Sequence, residues 1–499
     1  MLGLDMTAAA AAFAVALLCG TTVIAQVQPG ADAVDYGRVR ELLHVYYQRS
    51  AKLYGHDYDP DAVMSDTRNT PCDDNTEACA NKHVWGDLFE HDIALTLQQA
   101  ESLLNETGQR GKRQAEKRES SIWPAEPIRY KFVHQDSGWQ DLIRSALRHI
   151  EAETCVRFSY APYGKGDMLS YARGSGCWSN VGKIGGAQTI SIGYGCDSMG
   201  IVAHETLHAL GLWHEQSRTD RDNHIFINPG AIISGTEGNF QKRTLDNSDN
   251  MGQPYDVGSV MHYGSKAFSR DWTSYTIETR DSRYQRTIGQ RERISFKDGK
   301  MINLRYCKES CSRELECQND GYTDPNRCYQ CKCPSGYGGK YCEKVERSSC
   351  GGELLATTAL QTLESGKVSP NSYCVWRIRS PAGEKLEVAF ESISFVCRDV
   401  CQSSVEVKYH KDKTISGARL CCDEQRTTLV TEDDQVVLIF KGEPDMVDGY
   451  LGFSIRYRYF GSPTLPPAPT TTPTTTTTEH RTTTTETTTE TPSSRTTRH

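Results

Sequence analysis

The sequence predicts a chain of several separately built parts: an α+β domain with two lobes, a small disulfide-rich module, an all-β sandwich and a disordered Thr-rich tail. Three stretches carry that expectation. A strand-like Thr189 to Ile192 precedes the helical run H-E-T-L-H-A-L-G-L-W-H-E at His204 to Glu215, so sheet leads into helix within one domain. Between Cys311 and Cys342 six cysteines fall within 32 residues, which is a disulfide scaffold rather than a hydrophobic core. From Cys350 to about Tyr459, short alternating runs such as Leu386–Phe390, Val405–Tyr409 and Val436–Phe440 are separated by turn residues, the pattern of a sandwich.

The whole sequence, 499 residues, is too long for a single core, and its net charge of -8 offers no reason to propose a nucleic-acid partner. Nineteen cysteines suit an oxidising, extracellular compartment. The N-terminus agrees: Thr7 to Leu18 is apolar, and Val23-Ile24-Ala25 offers small residues for signal peptidase, so residues 1–25 are expected to be removed after Ala25. An uncleaved anchor is the alternative, for which the apolar run is short against the roughly 20 residues of a span. No later segment is long and apolar enough to cross a bilayer, so no membrane span is expected after signal removal.

The stretch from His204 carries the chemistry. His204 and His208 are four apart and project from one helix face, near enough to hold one ion. Gly211 lets the chain swing back and deliver His214 as a third imidazole. Three neutral nitrogens with an open fourth position describe a catalytic zinc site, and Glu205 stands beside the first ligand as a base. A bare H-E-x-x-H arises by chance on ordinary helices, but the added H-x-x-G-x-x-H is the metzincin signature. The following Glu215-Gln216-Ser217-Arg218-Thr219-Asp220-Arg221-Asp222 resembles the astacin family of zinc endopeptidases, in which a glutamate directly follows the third histidine.

That resemblance covers residues 84 to 459 and implies a role for each part. Residues 26–113 read as a helix-rich propeptide, with Tyr36 to Leu53 showing helical apolar spacing. They end in Arg110-Gly111-Lys112-Arg113, similar to a furin-type processing site, which makes Arg113 the processing residue. Phe89-Glu90-His91-Asp92-Ile93 resembles the family's propeptide motif, whose aspartate occupies the zinc in the zymogen. Asp92 is then the latch, with His91 where the family usually has glycine; Asp87, which does follow a glycine, competes for the role. Cys72 and Cys79 are expected to pair, and Asn105-Glu106-Thr107 is a glycosylation sequon on Asn105. Cleavage after Arg113 exposes Gln114, whose amine the resemblance would bring to Glu215, a supporting rather than catalytic residue.

Residues 114–307 are then a two-lobed α+β metzincin protease domain holding one Zn2+. Ile128 to Val133 alternates like a strand, Trp139 to Ala152 is helical, and Thr189 to Ile192 reads as an edge strand able to align an extended substrate. Family positions imply Cys155 with Cys307 and Cys177 with Cys196. Ser259-Val260-Met261-His262-Tyr263 looks like the Met-turn: Met261 is an apolar floor under the imidazoles, and Tyr263 hydrogen-bonds the developing oxyanion. His262 follows no ligand spacing and is expected to be packed. His224 stands where relatives often carry an aromatic residue. Ile288-Gly289-Gln290-Arg291 lies in the lobe shaping the pocket after the scissile bond, where arginines 286, 291 and 293 either favour an acidic substrate residue or form a solvated face.

Residues 308–346 resemble an EGF-like module, implying Cys311 with Cys328, Cys317 with Cys331 and Cys333 with Cys342, without calcium. Residues 350–459 look like a CUB domain, with Cys350 paired to Cys374. Cys397, Cys401, Cys421 and Cys422 make two further bridges whose pairing stays open. Residues 460–499 are a Thr/Pro-rich spacer of mucin-like composition. The expectation is a secreted, propeptide-controlled zinc endopeptidase acting on protein or peptide substrates, with extracellular matrix, cuticle or eggshell components as partners. A matrix-binding protein with an idle protease domain is the rival, weakened because every chemical residue is present.

Overall fold

Apolar residues at 39, 42, 43 and 47 put one stripe on the helix α1 (Tyr36–Leu53), and that stripe is buried. The computed structural model describes residues 36–69, 76–105, 115–116, 118–243, 248–381, 383–423, 427–444 and 449–460. The leader, Cys72, Arg113, Gln114 and the tail from 461 lie outside them, as does the side chain of Asn105. After α1 come α2 (Pro60–Asn69), a single turn α3 (Glu77–Ala80) and α4 (Leu97–Asn105). Phe89, Ile93 and Leu95 join the α1 stripe in a cluster that includes Trp213, just past the histidine helix. The N-terminal segment is therefore packed onto the following domain, and the Tyr46 hydroxyl donates to the Gly238 carbonyl at 2.9 Å.

That domain begins with β1 (Ala115–Glu116), paired antiparallel with Ser248–Asp249. Its main sheet contains β2 (Ile128–Phe132), β3 (Phe158–Tyr160), β4 (Met168–Ala172), β5 (Cys177–Trp178) and β6 (Ala187–Ile192), ordered β3-β2-β4-β6-β5. Helix α5 (Ser137–Glu153) is started by Asp136, whose carboxylate accepts from the Trp139 amide at 2.7 Å. It covers one sheet face with Trp139, Ile143, Leu147 and Ile150, beside α6 (Met199–Ala209), which is buried from Gly200 onward. The last helix, α7 (Phe296–Tyr306), opens on a capping box between Ser295 and Asp298. The second lobe, residues 210–295, has little regular structure beyond the paired strands Ile225–Ile227 and Ile277–Thr279.

One expectation is corrected here. The strand ending at Ile192 is not the sheet edge, because Cys177–Trp178 folds back and pairs with it antiparallel. Gly193 permits that return: a Cβ there would meet the Gly174 carbonyl at 2.6 Å. The edge that remains passes to Ser179, and the N-terminal segment has taken it. The Ser179 amide donates to the Asp92 carbonyl at 3.0 Å, and the Ala94 amide donates to the Ser179 carbonyl at 2.9 Å, in parallel register.

Disulfides join Cys155 to Cys307 and Cys177 to Cys196 in this domain, and Cys311 to Cys328, Cys317 to Cys331 and Cys333 to Cys342 in the small module after it. The module rests on the end of α5, where Asn326 Nδ2 donates to the Thr154 carbonyl at 2.9 Å. Beyond it, a five-stranded and a four-stranded sheet face each other over Trp376, Phe390, Phe440, Phe453 and Ile455. Cys350 bonds to Cys374, and the four cysteines left open by the sequence pair as Cys397 with Cys422 and Cys401 with Cys421. The sandwich leans on the second lobe. Tyr284 enters the sandwich core, the Cys401 amide donates to the Arg286 carbonyl at 3.0 Å, and the Ser416 amide donates to Asp256 Oδ1 at 2.9 Å.

The Cys155–Cys307 bridge closes 152 residues, from just after α5 to the end of α7 and through the whole second lobe. Replacing the pair (Cys155→Ala with Cys307→Ala) is expected to cost about 2–5 kcal/mol in urea unfolding. An unchanged midpoint would show that lobe packing alone sets stability.

Candidate metal centre

Helix α6 stops because Gly211 adopts φ +101°, and the Gly211 amide returns to the His208 carbonyl at 2.7 Å. The chain reverses there and carries His214 back over the helix. Three imidazoles then share one buried point, and each has its Nδ1–H committed elsewhere. His204 donates to the Val260 carbonyl at 2.8 Å, His208 to the Leu212 carbonyl at 2.7 Å and His214 to the Glu90 carboxylate at 2.6 Å. Such bonds set the tautomer, so every Nε2 presents a lone pair inward.

The Nε2 atoms of His204 and His208 are 3.0 Å apart, two lone pairs facing each other. Asp92 Oδ2 lies 3.2 Å from His204 Nε2 and 3.1 Å from His214 Nε2, and Asp92 Oδ1 lies 3.7 Å from His208 Nε2. All four donors fall within 4.8 Å of one another. These separations bracket the edge of roughly 3.3 Å of a tetrahedron with metal–ligand bonds of about 2.0–2.1 Å. A cation at the centre would relieve the facing lone pairs, and a nitrogen and oxygen donor set suits zinc. The residues fit the metal.

Between Asp92 and Asp87, geometry chooses Asp92 for the histidines, while Asp87 pairs with Arg40. His91 adopts φ +62°, the left-handed conformation a glycine would take freely, and Glu90 before it has φ +47°. The His91 ring stacks on Tyr263 with centroids 4.7 Å apart, a contact glycine could not make. The Tyr263 hydroxyl donates to the Glu90 carbonyl at 2.8 Å, so the N-terminal segment engages that phenol as well as the imidazoles.

Glu205 is buried beside His204, and neither of its carboxylate oxygens has a hydrogen-bond partner. Burial, and then the carboxylates of Asp92 and Glu77, push its carboxyl well above the ordinary value. Both neighbours belong to the N-terminal segment. Burial and the His204 imidazole hold His208 well below its ordinary value, neutral and ready to ligate. Burial works against charge on His214, yet Asp92 and Glu90 lift it to about 9, so protons and a metal compete for that nitrogen.

Met261 is fully buried in the core with Leu207, and its carbonyl accepts from the Glu215 amide at 2.9 Å. Its turn is pinned from behind: Asp298 accepts from the Ser259 hydroxyl at 2.6 Å and the Val260 amide at 2.9 Å. Glu215 is enclosed by Lys297 Nζ at 2.5 Å, the Asp256 amide at 2.8 Å and Arg218 Nη1 at 3.3 Å. His262 is packed, donating from Nδ1 to the Tyr263 carbonyl at 2.8 Å. His224 stacks on Tyr255 at 4.6 Å and is outside the metal group. Of the three arginines, 286 reaches the Arg398 carbonyl, 293 is exposed, and Arg291 is buried against Glu77.

Sequence reasoning missed Glu90, Glu77 and Lys297. Glu90 sat in an unassigned position of the Phe89–Ile93 run, which was the available signal. Glu77 and Lys297 had none, since charged residues read as solvated until a partner appears in space.

A reversed helix end with three inward imidazoles and an adjacent buried carboxylate defines the metal centre of a metzincin. Residues 115–307 match the model of Astacin (Peptidase family M12A), and residues 350–457 match that of the CUB domain. Zinc metalloproteinase nas-37 of Caenorhabditis elegans is 55% identical over 438 residues, covering 87% of this chain and 57% of its own length. Zinc metalloproteinase nas-36 of Brugia malayi is 38% identical over 423 residues, covering 77% and 71%. Among solved structures, high choriolytic enzyme 1, a hatching enzyme zinc-protease from Oryzias latipes, is 35% identical, with a TM-score of 0.36 and coverage of 38% of this chain and 98% of its own. The chain belongs to the astacin family. It spans little more than half the length of nas-37 and of nas-30, 57% and 54%.

Lys297 is a buried cation whose loss leaves Glu215 short of charge compensation next to His214. Lys297→Met is expected to destabilise the fold by about 3–5 kcal/mol in thermal or urea unfolding. A change within about 0.5 kcal/mol would mean that Arg218 and the Asp256 amide suffice.

Proposed function

We propose that the chain is a secreted, zinc-dependent endopeptidase made as a zymogen, hydrolysing peptide bonds of extracellular matrix, cuticle or eggshell-type proteins. The observation that carries the reading is Glu205: a buried carboxylate with two unpartnered oxygens, beside three imidazoles whose lone pairs converge. The zinc metalloproteinase names of the relatives support it.

His204, His208 and His214 would hold the zinc, which when bound supplies a Lewis acid that acidifies water and polarises a carbonyl. Glu205 takes the proton of the attacking water and returns it to the leaving amine, serving first as base and then as acid. Tyr263, freed from the Glu90 carbonyl, turns its hydroxyl to the oxyanion of the tetrahedral intermediate. Met261 and Glu215 support the third histidine.

Residues 26–113 act as the propeptide, with Asp92 as latch, and leave when a furin-type protease cuts after Arg113. Residues 1–25 are the signal peptide that directs export and is cleaved after Ala25, and Asn105 carries a glycan that leaves with the propeptide. Among the described residues no helix is long and apolar enough to cross a membrane. Residues 114–307 are the protease domain and 308–346 an EGF-like module; residues 350–459, the CUB domain, contact substrate or matrix together with that module, and the tail 460–499 is a spacer.

Glu205→Gln is expected to keep one zinc per chain and lose about 100- to 10,000-fold in turnover of a peptide library by the processed form. Tyr263→Phe is expected to lower kcat about 100- to 1,000-fold with KM little changed. A zinc-loaded, processed wild-type chain that cleaves nothing would overturn the enzyme reading. In the unprocessed chain, Asp92→Ala is expected to release activity and Asp87→Ala to leave it silent; the reverse would move the latch.

A further inference from the structure

The run that carries Asp92 to the histidines also places a ring beside them. Its two ends close a hairpin: the Phe89 amide donates to the Ile93 carbonyl at 2.9 Å, and the Ile93 amide donates to the Phe89 carbonyl at 3.0 Å. Ile93 bridges Ser179 at the sheet edge on one side and Phe89 on the other. Phe89 therefore stands across the cleft from that edge, one hairpin strand away. Its ring is 1% exposed and meets the guanidinium of Arg243, with Cζ 5.5 Å from the ring centroid. The same guanidinium lies 3.7 Å from the centroid of the Trp213 ring.

The guanidinium and indole are both fixed without help from Phe89. The Arg243 amide donates to the Ser217 carbonyl at 2.7 Å, just past His214, and the preceding Lys242 pairs with Asp222 at 2.5 Å. Trp213 is fully buried and immediately precedes the third histidine. Arg243 is only 6% exposed, and its buried Nε has no hydrogen-bond partner among the described residues. A guanidinium is weakly hydrated and stacks on aromatic faces, which is how the two rings satisfy it here. The remaining wall is apolar, since Phe89 and Ile93 share one cluster with Val181 and Trp213. An acidic side chain entering this seat would lose its hydration against those walls, whereas a ring would not.

We propose that the seat of Phe89, formed by Trp213, Arg243 and Val181, is a subsite for an aromatic side chain of the substrate, which Phe89 fills until processing. The proposal rests on the zymogen and endopeptidase reading above. The seat adjoins Ile93, the residue after Asp92, and an extended chain advances about 3.3 Å per residue. The aromatic residue it selects therefore stands within about three positions of the scissile bond.

The test uses the processed, zinc-loaded chain. Fluorescence polarisation measures binding of labelled peptides spanning residues 84–96, with Phe, cyclohexylalanine or Glu at position 89, and needs no cleavage. Phe is expected to bind at least about threefold tighter than cyclohexylalanine, which fills the same space without a π face, and at least about tenfold tighter than Glu. In Arg243→Met the gap between Phe and cyclohexylalanine is expected to close to under about twofold. The wild-type comparison needs no protein variant, so it stands even where Arg243→Met folds poorly. In a peptide library the wild type is expected to favour Phe, Tyr or Trp over Leu at one position within about three residues of the cut. Arg243→Met is expected to lose that preference and keep its selectivity at the other positions. Equal binding of Phe and cyclohexylalanine, tighter binding of Glu, or a library profile with no aromatic preference near the cut overturns the proposal. Cleavage of no peptide at all overturns the endopeptidase reading instead, and the polarisation result then decides by itself whether the seat selects a ring.

Discussion

The structure depends on three imidazole lone pairs being forced to face one another. Left alone, nitrogens such as those of His204 and His208, 3.0 Å apart, would turn away. They are held because each Nδ1–H is committed to a fixed acceptor, and the acceptors come from three separate places: the turn at Val260, the end of the helix itself at Leu212, and Glu90 of the N-terminal segment. A cation relieves the repulsion that the fold imposes.

Much of the surrounding architecture maintains that arrangement. Asp298 pins the Val260 turn, Lys297 on the next helical position neutralises Glu215, and the Glu215 amide closes back onto Met261. Asp256 stands between these groups and the sandwich, giving its amide to Glu215 and accepting from Ser416. The sandwich is therefore in contact with the loop that leads into Met261 and with the loop that carries Arg291.

The N-terminal segment meets the site chiefly through polar contacts that a peptide backbone and acidic side chains can provide. It pairs with the sheet edge at Ser179, directs Asp92 to the histidines, receives the Tyr263 hydroxyl on a carbonyl, and lays His91 against the same phenol. The left-handed conformations at Glu90 and His91 are what point the Asp92 carboxylate inward, and the ring stacking compensates for the missing glycine.

His204, Glu205, His208, Gly211 and His214 were legible in the sequence because helical geometry converts their spacing into a shared face and a reversal, with no help from distant residues. Asp92, Met261 and Tyr263 were legible as matches to family motifs, and the alternation after Cys350 announced strands. What only the tertiary structure decided depends on groups far apart in the chain: the pairing of Cys397 with Cys422 and Cys401 with Cys421, the return of Cys177–Trp178 to cover β6, and the partners of Glu77, Glu90 and Lys297. A local pattern determines which way a side chain points along its own element. Whether a charged side chain is solvated or buried against its opposite depends on what the rest of the chain brings to it.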